Sequence, residues 1–239
     1  MPPAVAGPIA AQRATLDDVL ADLEAKGDPA IAAIYGRHGA QGKCFGVRFG
    51  DLGRMAKRIG TDHALALRLW RTRNVDARQL ACMLADPEEA DQAMLEAWAK
   101  DLDWYGIADS FAKMAAKSAL APQLAEAWIE RDHEWTEQAG WDIWSWRFMT
   151  DPTLPDQEGE AMIARIERDI HGAKNRVRYA MNNALIAIGM RSDGLERKAL
   201  AAARRIGTVD VDHGETGCKT PNAVTYIPKA RAHRKRKQG

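Results

Sequence analysis

Apolar residues recur at helical spacing along most of this chain. In the segment 174–190, Val177, Ala180, Met181, Ala184, Leu185 and Ile188 fall at i, i+3, i+4, i+7, i+8 and i+11, a single stripe on a 3.6-residue period. Leu195, Ala199, Leu200, Ala203 and Ile206 repeat the pattern in the next segment, and Met162, Ile163, Ile166 and Ile170 carry it in the one before. Gly27, Pro29, Gly60, Pro87, Pro122, Gly140, Pro152, Pro155, Gly172 and Gly194 punctuate the chain into segments of mostly roughly 10 to 20 residues, lengths that suit helices. The β-branched alternation of strands is missing. Consecutive amphipathic helices joined by short breaks must bury their stripes against one another. The pattern therefore predicts an all-α protein, an α-solenoid or superhelix of antiparallel HEAT-like helix pairs, as one domain over residues 15–206. Residues 1–14 are expected to be extended or disordered, and residues 207–239 to form an irregular C-terminal segment with a basic tail.

Two stretches depart from the helical pattern. The segment 36–53, GRHGAQGKCFGVRFGDLG, reads as a long glycine-rich connection leading to a helix start near Asp51. It is no phosphate-binding P-loop, because Lys43 is followed by Cys44 where Ser or Thr would be needed. After Gly207, TVDVDHGETGCKTPNAVTYIPKA loses helical periodicity and is expected to wrap over the last repeat. His213, Glu215 and Cys218 in that stretch have no partner cluster to complete a four-ligand zinc set, so no metal is predicted.

Composition narrows the class. Apolar residues make up 46% and charged residues 28% of the 239, enough to bury a core and too much apolar content for wholesale disorder. The formal net charge is only +1, so affinity for nucleic acid must come from charge placement. The tail 229–239, KARAHRKRKQG, holds six Lys or Arg and no acid. It reads equally as an arm that touches phosphates and as a solvated terminus. Cys44, Cys82 and Cys218 are odd in number and widely spaced, which argues against disulfides or zinc and for a reducing, cytoplasmic compartment. No apolar run approaches the roughly 20 residues that span a bilayer, and no export signal is read at the N-terminus.

Three clusters carry candidate chemistry. On a helix over 103–117, Trp104, Ile107, Ala108, Phe111, Met114 and Ala115 share one face. Asp109 lies roughly 140° from Trp104 and roughly 40° from Tyr105. A carboxylate and an aromatic ring thus share a face one turn apart, although by itself Asp109 reads first as an i, i+4 partner of Lys113. GWDIWSWRFMTD crowds Trp141, Trp144, Trp146 and Arg147 together. Trp141 and Trp144 read as core rings, and Trp146 and Arg147 as groups for stacking and phosphate contact. In RVRYAMNNALIAIG the face opposite the apolar stripe carries Tyr179, Asn182, Asn183 and Ile186. Paired mid-helix Asn residues oppose helix propensity, so their amides should be in use, first of all structurally.

At these clusters the chain resembles the HEAT-like repeat DNA glycosylases of the AlkD type, over roughly residues 31–206. FGVRFGDLGRMAKRIGTDHALALRLWRTRNVDARQLACMLADP is similar to their early repeats, WYGIADS to their Trp-rich segment ending in the catalytic Asp, and WSWRFM to the segment with their phosphate-binding or catalytic-site Arg. The resemblance implies a cofactor-free DNA N-glycosylase, monomeric, that excises cationic N3- or N7-alkylated purines from duplex DNA. In that role Asp109 is catalytic, and Tyr105, Trp146, Arg147 and Asn183 contact substrate. Two positions depart from the family: Tyr105 stands where Trp is usual, and Asn183 where a later Trp falls. A Tyr still offers a ring face to a cation and an Asn does not. A non-catalytic DNA-binding repeat protein and a helical protein-binding scaffold remain as competing readings.

Overall fold

The computed structural model describes residues 14–238, so the expectation for residues 1–14 lies, apart from Ala14, outside the described residues. The described residues form helices and connections, with no strand among them. The first seven helices are α1 (Leu16–Ala25), α2 (Pro29–Arg37), α3 (Phe49–Ile59), α4 (His63–Arg71), α5 (Val75–Leu84), α6 (Gln92–Lys100) and α7 (Tyr105–Ala115). They are followed by α8 (Ala121–Trp128), α9 (Glu134–Thr150), α10 (Asp156–Asp169), α11 (Asn175–Gly189), α12 (Asp193–Ile206) and α13 (Ala223–Gln238). The architecture is an α-solenoid of antiparallel HEAT-like pairs, as the periodicity predicts.

Local sequence sets the breaks. Asp28, Asp62, Asn74, Asp91 and Ser192 cap α2, α4, α5, α6 and α12, each side chain accepting a hydrogen bond from an otherwise unpaired N–H of the first turn. The stripes then pack α5, α7, α9 and α11 in succession, while α4, α8 and α12 back them. Rings fill the first half of the core: Trp70 stacks on Trp98 with centroids 4.1 Å apart, and Phe111 stacks on Trp128 at 5.4 Å. Helix α9 runs through the centre with Gln138, Ala139, Trp141, Ile143, Trp144 and Phe148 all buried. Its burial on most sides, with the Asp142, Trp146 and Met149 strip left partly open, explains why its sequence shows no clean stripe.

The glycine-rich connection is held from below. The Asp76 carboxylate on α5, fully buried, accepts hydrogen bonds from the backbone N–H groups of Phe45 (2.6 Å), Gly46 (3.2 Å) and Val47 (2.8 Å). Gly46 sits at φ 79°, and a Cβ there would run into the Asp28 carbonyl and the Ala32 amide, so this close approach requires glycine. The connection delivers α3 two residues earlier than the Asp51 start expected from sequence.

The C-terminal region corrects one expectation. Residues 208–222 are irregular and run back over the last helix pair, mainly across α11. Asn175 and Asp212 exchange two hydrogen bonds (2.8 and 2.7 Å), and Asn182 donates to the Pro221 carbonyl at 3.0 Å. His213 meets Tyr179 edge-on at 5.5 Å, and Gly214 lies against the Arg37 carbonyl at the end of α2. Residues 223–238 are helical and not an irregular tail. Pro228 lacks a backbone donor and the run of like charges repels itself, both unfavourable to an isolated helix. Docking overrides them: Ile227 is fully buried, and Arg231 pairs with Asp193 and with Glu196 (3.0 Å) on α12. A Cβ on Gly189 would stand 2.8 Å from Ile227 Cδ1 and 3.1 Å from the Ala199 Cβ. Gly189→Val is therefore expected to cost about 1–3 kcal/mol by overpacking. Amide exchange should speed up across α13 before the rest of the chain.

Candidate active site

Three helix faces meet at one cleft. Trp104 precedes α7, and its indole N–H donates to the His38 carbonyl at 2.8 Å, which fixes where the helix begins. Tyr105 and Asp109 follow at i, i+4 on α7. Gln138, Asp142 and Trp146 form an i, i+4, i+8 stripe on α9, and Arg176, Tyr179 and Asn183 an i, i+3, i+7 stripe on α11. Most of these line a cleft of about 550 Å³ together with Ile34, Tyr35 and His38 of the α2 region. Phe49 stands at its lip, 55% exposed.

Buried Gln138 joins two carboxyl groups. Its Nε2 donates to Asp109 Oδ1 at 2.7 Å and to Asp142 Oδ2 at 3.2 Å, and lies 3.4 Å from the Tyr105 carbonyl. This amide orientation is the one that offers protons to both acids. Asp109 remains open to water at the mouth of the cleft, although protein surrounds it on most sides. That crowding pushes its carboxyl up to about 6, with Arg176, Asp142 and Gln138 working in the opposite direction. Asp142 is raised well above the usual carboxylate range, first by burial and then by the negative charge of Asp109. The two groups titrate as a pair, with Asp142 held further toward its protonated form than Asp109.

A cation lies behind the pair. The Arg176 guanidinium is nearly buried and sits 3.8 Å from the Tyr105 ring centroid and 4.6 Å from that of Tyr179. Tyr105 also touches His38 Nδ1 through its hydroxyl. Burial pushes the Tyr105 phenol up to about 12 and lowers His38, to which Arg176 adds repulsion, so the first stays protonated and the second neutral near pH 7.

The structure brings Tyr105, Asp109, Trp146 and Asn183 to one cleft and leaves Arg147 out of its lining. The Arg147 guanidinium instead lies 4.7 Å over the Trp144 ring. Asp109 turns to Gln138, while Lys113 reaches over Trp146 at 5.2 Å, so the i, i+4 ion pair gives way to two cleft contacts. Trp141 and Trp144 are core rings as expected. The paired Asn residues divide, Asn182 tying down the C-terminal segment and Asn183 facing the cleft beside Tyr179. Gln138, Asp142 and Arg176 were not singled out by sequence. The available signal was helical spacing: each is one turn from a residue that was.

The solenoid and its carboxylate-and-ring cleft define a HEAT-like repeat fold of the glycosylase-related kind. The pattern of the DNA alkylation repair enzyme family matches residues 19–227, and this chain belongs to that family. An uncharacterized protein of Listeria innocua is 31% identical over 223 residues, covering 91% of this chain and 97% of its own. An uncharacterized protein of Listeria monocytogenes is similar to the same extent, at 31%. A solved structure at TM-score 0.83 and 28% identity covers 91% of this chain and 94% of its own. It is described as a new family of proteins related to the HEAT-like repeat DNA glycosylases with affinity for branched DNA structures.

Proposed function

We propose that this protein is a DNA N-glycosylase that removes cationic N3- or N7-alkylated purines from duplex DNA, without a cofactor. The observation that carries this reading is the charged Asp109 carboxylate at a water-accessible cleft mouth, walled by Tyr105 and Trp146 and held by Gln138. A purine alkylated at N3 or N7 already bears positive charge and leaves readily, so little acid catalysis is needed. What remains is to stabilise the positive deoxyribose that develops as the bond breaks and to position water, both tasks for one fixed carboxylate. Gln138 fixes that carboxylate and ties Asp142 to it, and the upward shift of Asp142 opposes a second negative charge beside the first. Lys113 beside Trp146 supplies a cation for a neighbouring phosphate.

A second reading rests on Arg176. Ring faces of Tyr105 and Tyr179 that would meet a cationic base are already taken by this guanidinium, and Asn183 offers no ring. This favours a protein that binds distorted or branched DNA and does not cut it. Duplex DNA carrying N7-methylguanine, incubated with wild type, decides between the two. Release of free base supports the enzyme, and no release with salt-sensitive binding leaves the second reading. Absence of binding at low salt points to a protein-binding scaffold.

Arg176 also sets a pH test within the first reading. Its charge lowers the Asp109 carboxyl, so Arg176→Gln is expected to move the acid limb of the excision profile to higher pH. A profile that does not move, with excision retained, removes Arg176 from the electrostatics of the site.

A further inference from the structure

The faces that line the cleft do not end there. On α9 the stripe continues from Asp142 and Trp146 to Met149, and on α11 from Tyr179 and Asn183 to Met190. Seven residues of helix carry each about 10 Å onward from Asp142 and from Asn183. There the stripes form the floor of a second groove of about 660 Å³, with α13 as its other wall. Met149 and the Tyr226 ring are 43% and 50% exposed, among the described residues the largest apolar groups in the open apart from Phe49. Lys229, His233, Arg234 and Lys237 form the rim, and no acidic residue lines the groove among the described residues. Helix α13 is fixed from its neighbouring face by Ile227 and Arg231, so this basic rim is held in place.

Resting on the DNA reading of the cleft, we propose that the groove between α13 and the ends of α9 and α11 is a second nucleic-acid site, which takes an unpaired strand leaving the duplex. Its basic rim follows the phosphates, and Tyr226 with Met149 offers a flat apolar surface to one unstacked base. Single-strand sites combine these same elements, a cationic track with an exposed ring. The offset from the cleft, about 5 Å from Trp146 to Met149 and about 10 Å from Asn183 to Met190, is at most about three steps of duplex at about 3.4 Å each, so one DNA molecule reaches both sites. Charge separates this occupant from a protein partner that is neutral or basic.

The test is fluorescence anisotropy on a blunt duplex and on the same duplex with a single-stranded extension, at several salt concentrations. Wild type should bind the extended duplex more tightly. Tyr226→Ala should weaken that binding about tenfold. The double change Lys229→Gln, Arg234→Gln should reduce the slope of log affinity against log salt by about 1.4, for two lost single-strand contacts. Blunt-duplex affinity and base release should stay as in wild type, since none of these residues lines the cleft. If wild type binds DNA and all variants keep the extended-duplex affinity and slope, the second site is overturned while the cleft reading stands. If wild type binds neither duplex, both fall. Binding of polyglutamate that is lost in the variants, with no preference for the extension, assigns the groove to an acidic protein segment and overturns the proposal.

Discussion

Asp109→Asn is expected to lower excision of N7-methylguanine by about 10²–10³, the effect of removing one preorganised charged group from a transition state. DNA affinity should stay within about twofold, because Asn keeps the shape and the lost charge is one that phosphates do not seek. Asp142→Asn is the control. Burial and the neighbouring Asp109 hold that carboxyl toward its protonated form, and a neutral amide is the closest stand-in for it, so excision should fall only a few-fold. Since Asp109 must be ionised, wild-type excision should rise about tenfold per pH unit below about 6 and level off above it. Equal losses in the two variants would show that the carboxylates are interchangeable and would sink the assignment. The same pair has a signature in stability. Both folded values are raised, so the pair favours folding below the ordinary carboxylate range, and that benefit is lost as pH rises through the folded values. Asp142→Asn should therefore gain in Tm over wild type as pH is raised above the ordinary carboxylate range, as measured by thermal melting.

Asp76→Ala should produce the largest loss of stability among single polar changes. The variant leaves the N–H groups of Phe45, Gly46 and Val47 without their acceptor in a buried setting. Unsatisfied buried donors cost about 1–3 kcal/mol each, and partial relaxation brings the total to about 3–5 kcal/mol. At about 2–4 °C per kcal/mol for a chain of this size, Tm should drop by about 10 °C. The damage reaches the cleft, because the same connection sets the start of α3 and so the place of Phe49. A melting temperature within a degree or two of wild type would mean that water replaces the carboxylate freely. Asp76→Asn retains one acceptor oxygen and should fall between the two.

The sequence was most legible where a helix has one wet side. In α11 and α12 the apolar stripes stand out because the opposite face carries polar residues, and both elements fall where periodicity places them. Helix α9 lacks that contrast, since its neighbours bury it on most sides, and its outline came only from the tryptophan cluster. Helix α13 was hidden for another reason: its stability comes from Ile227 and Arg231 meeting residues more than thirty positions away, which local propensity does not register. The cleft shows the same division. Tyr105 and Asp109 were readable as a pair because they share one helix. The bridge from Asp109 to Asp142 through Gln138 spans two helices, and Arg176 comes from a third. Arg147, one position beyond Trp146, points to a different neighbour, a reminder that adjacent helical residues diverge by about 100°.

The segment 208–222, which brings Gly214 against Arg37, has a consequence for how the protein comes apart. In an open repeat array each unit leans only on the next, so the ends fray independently and unfolding spreads stepwise. Here one contact joins positions 177 apart in sequence (214 − 37), so the segment after α12 rests on the end of α2. Release of that segment then also frees the end of α2, and the two regions are expected to open together and to dock late in folding, since that long loop must close before its contact helps.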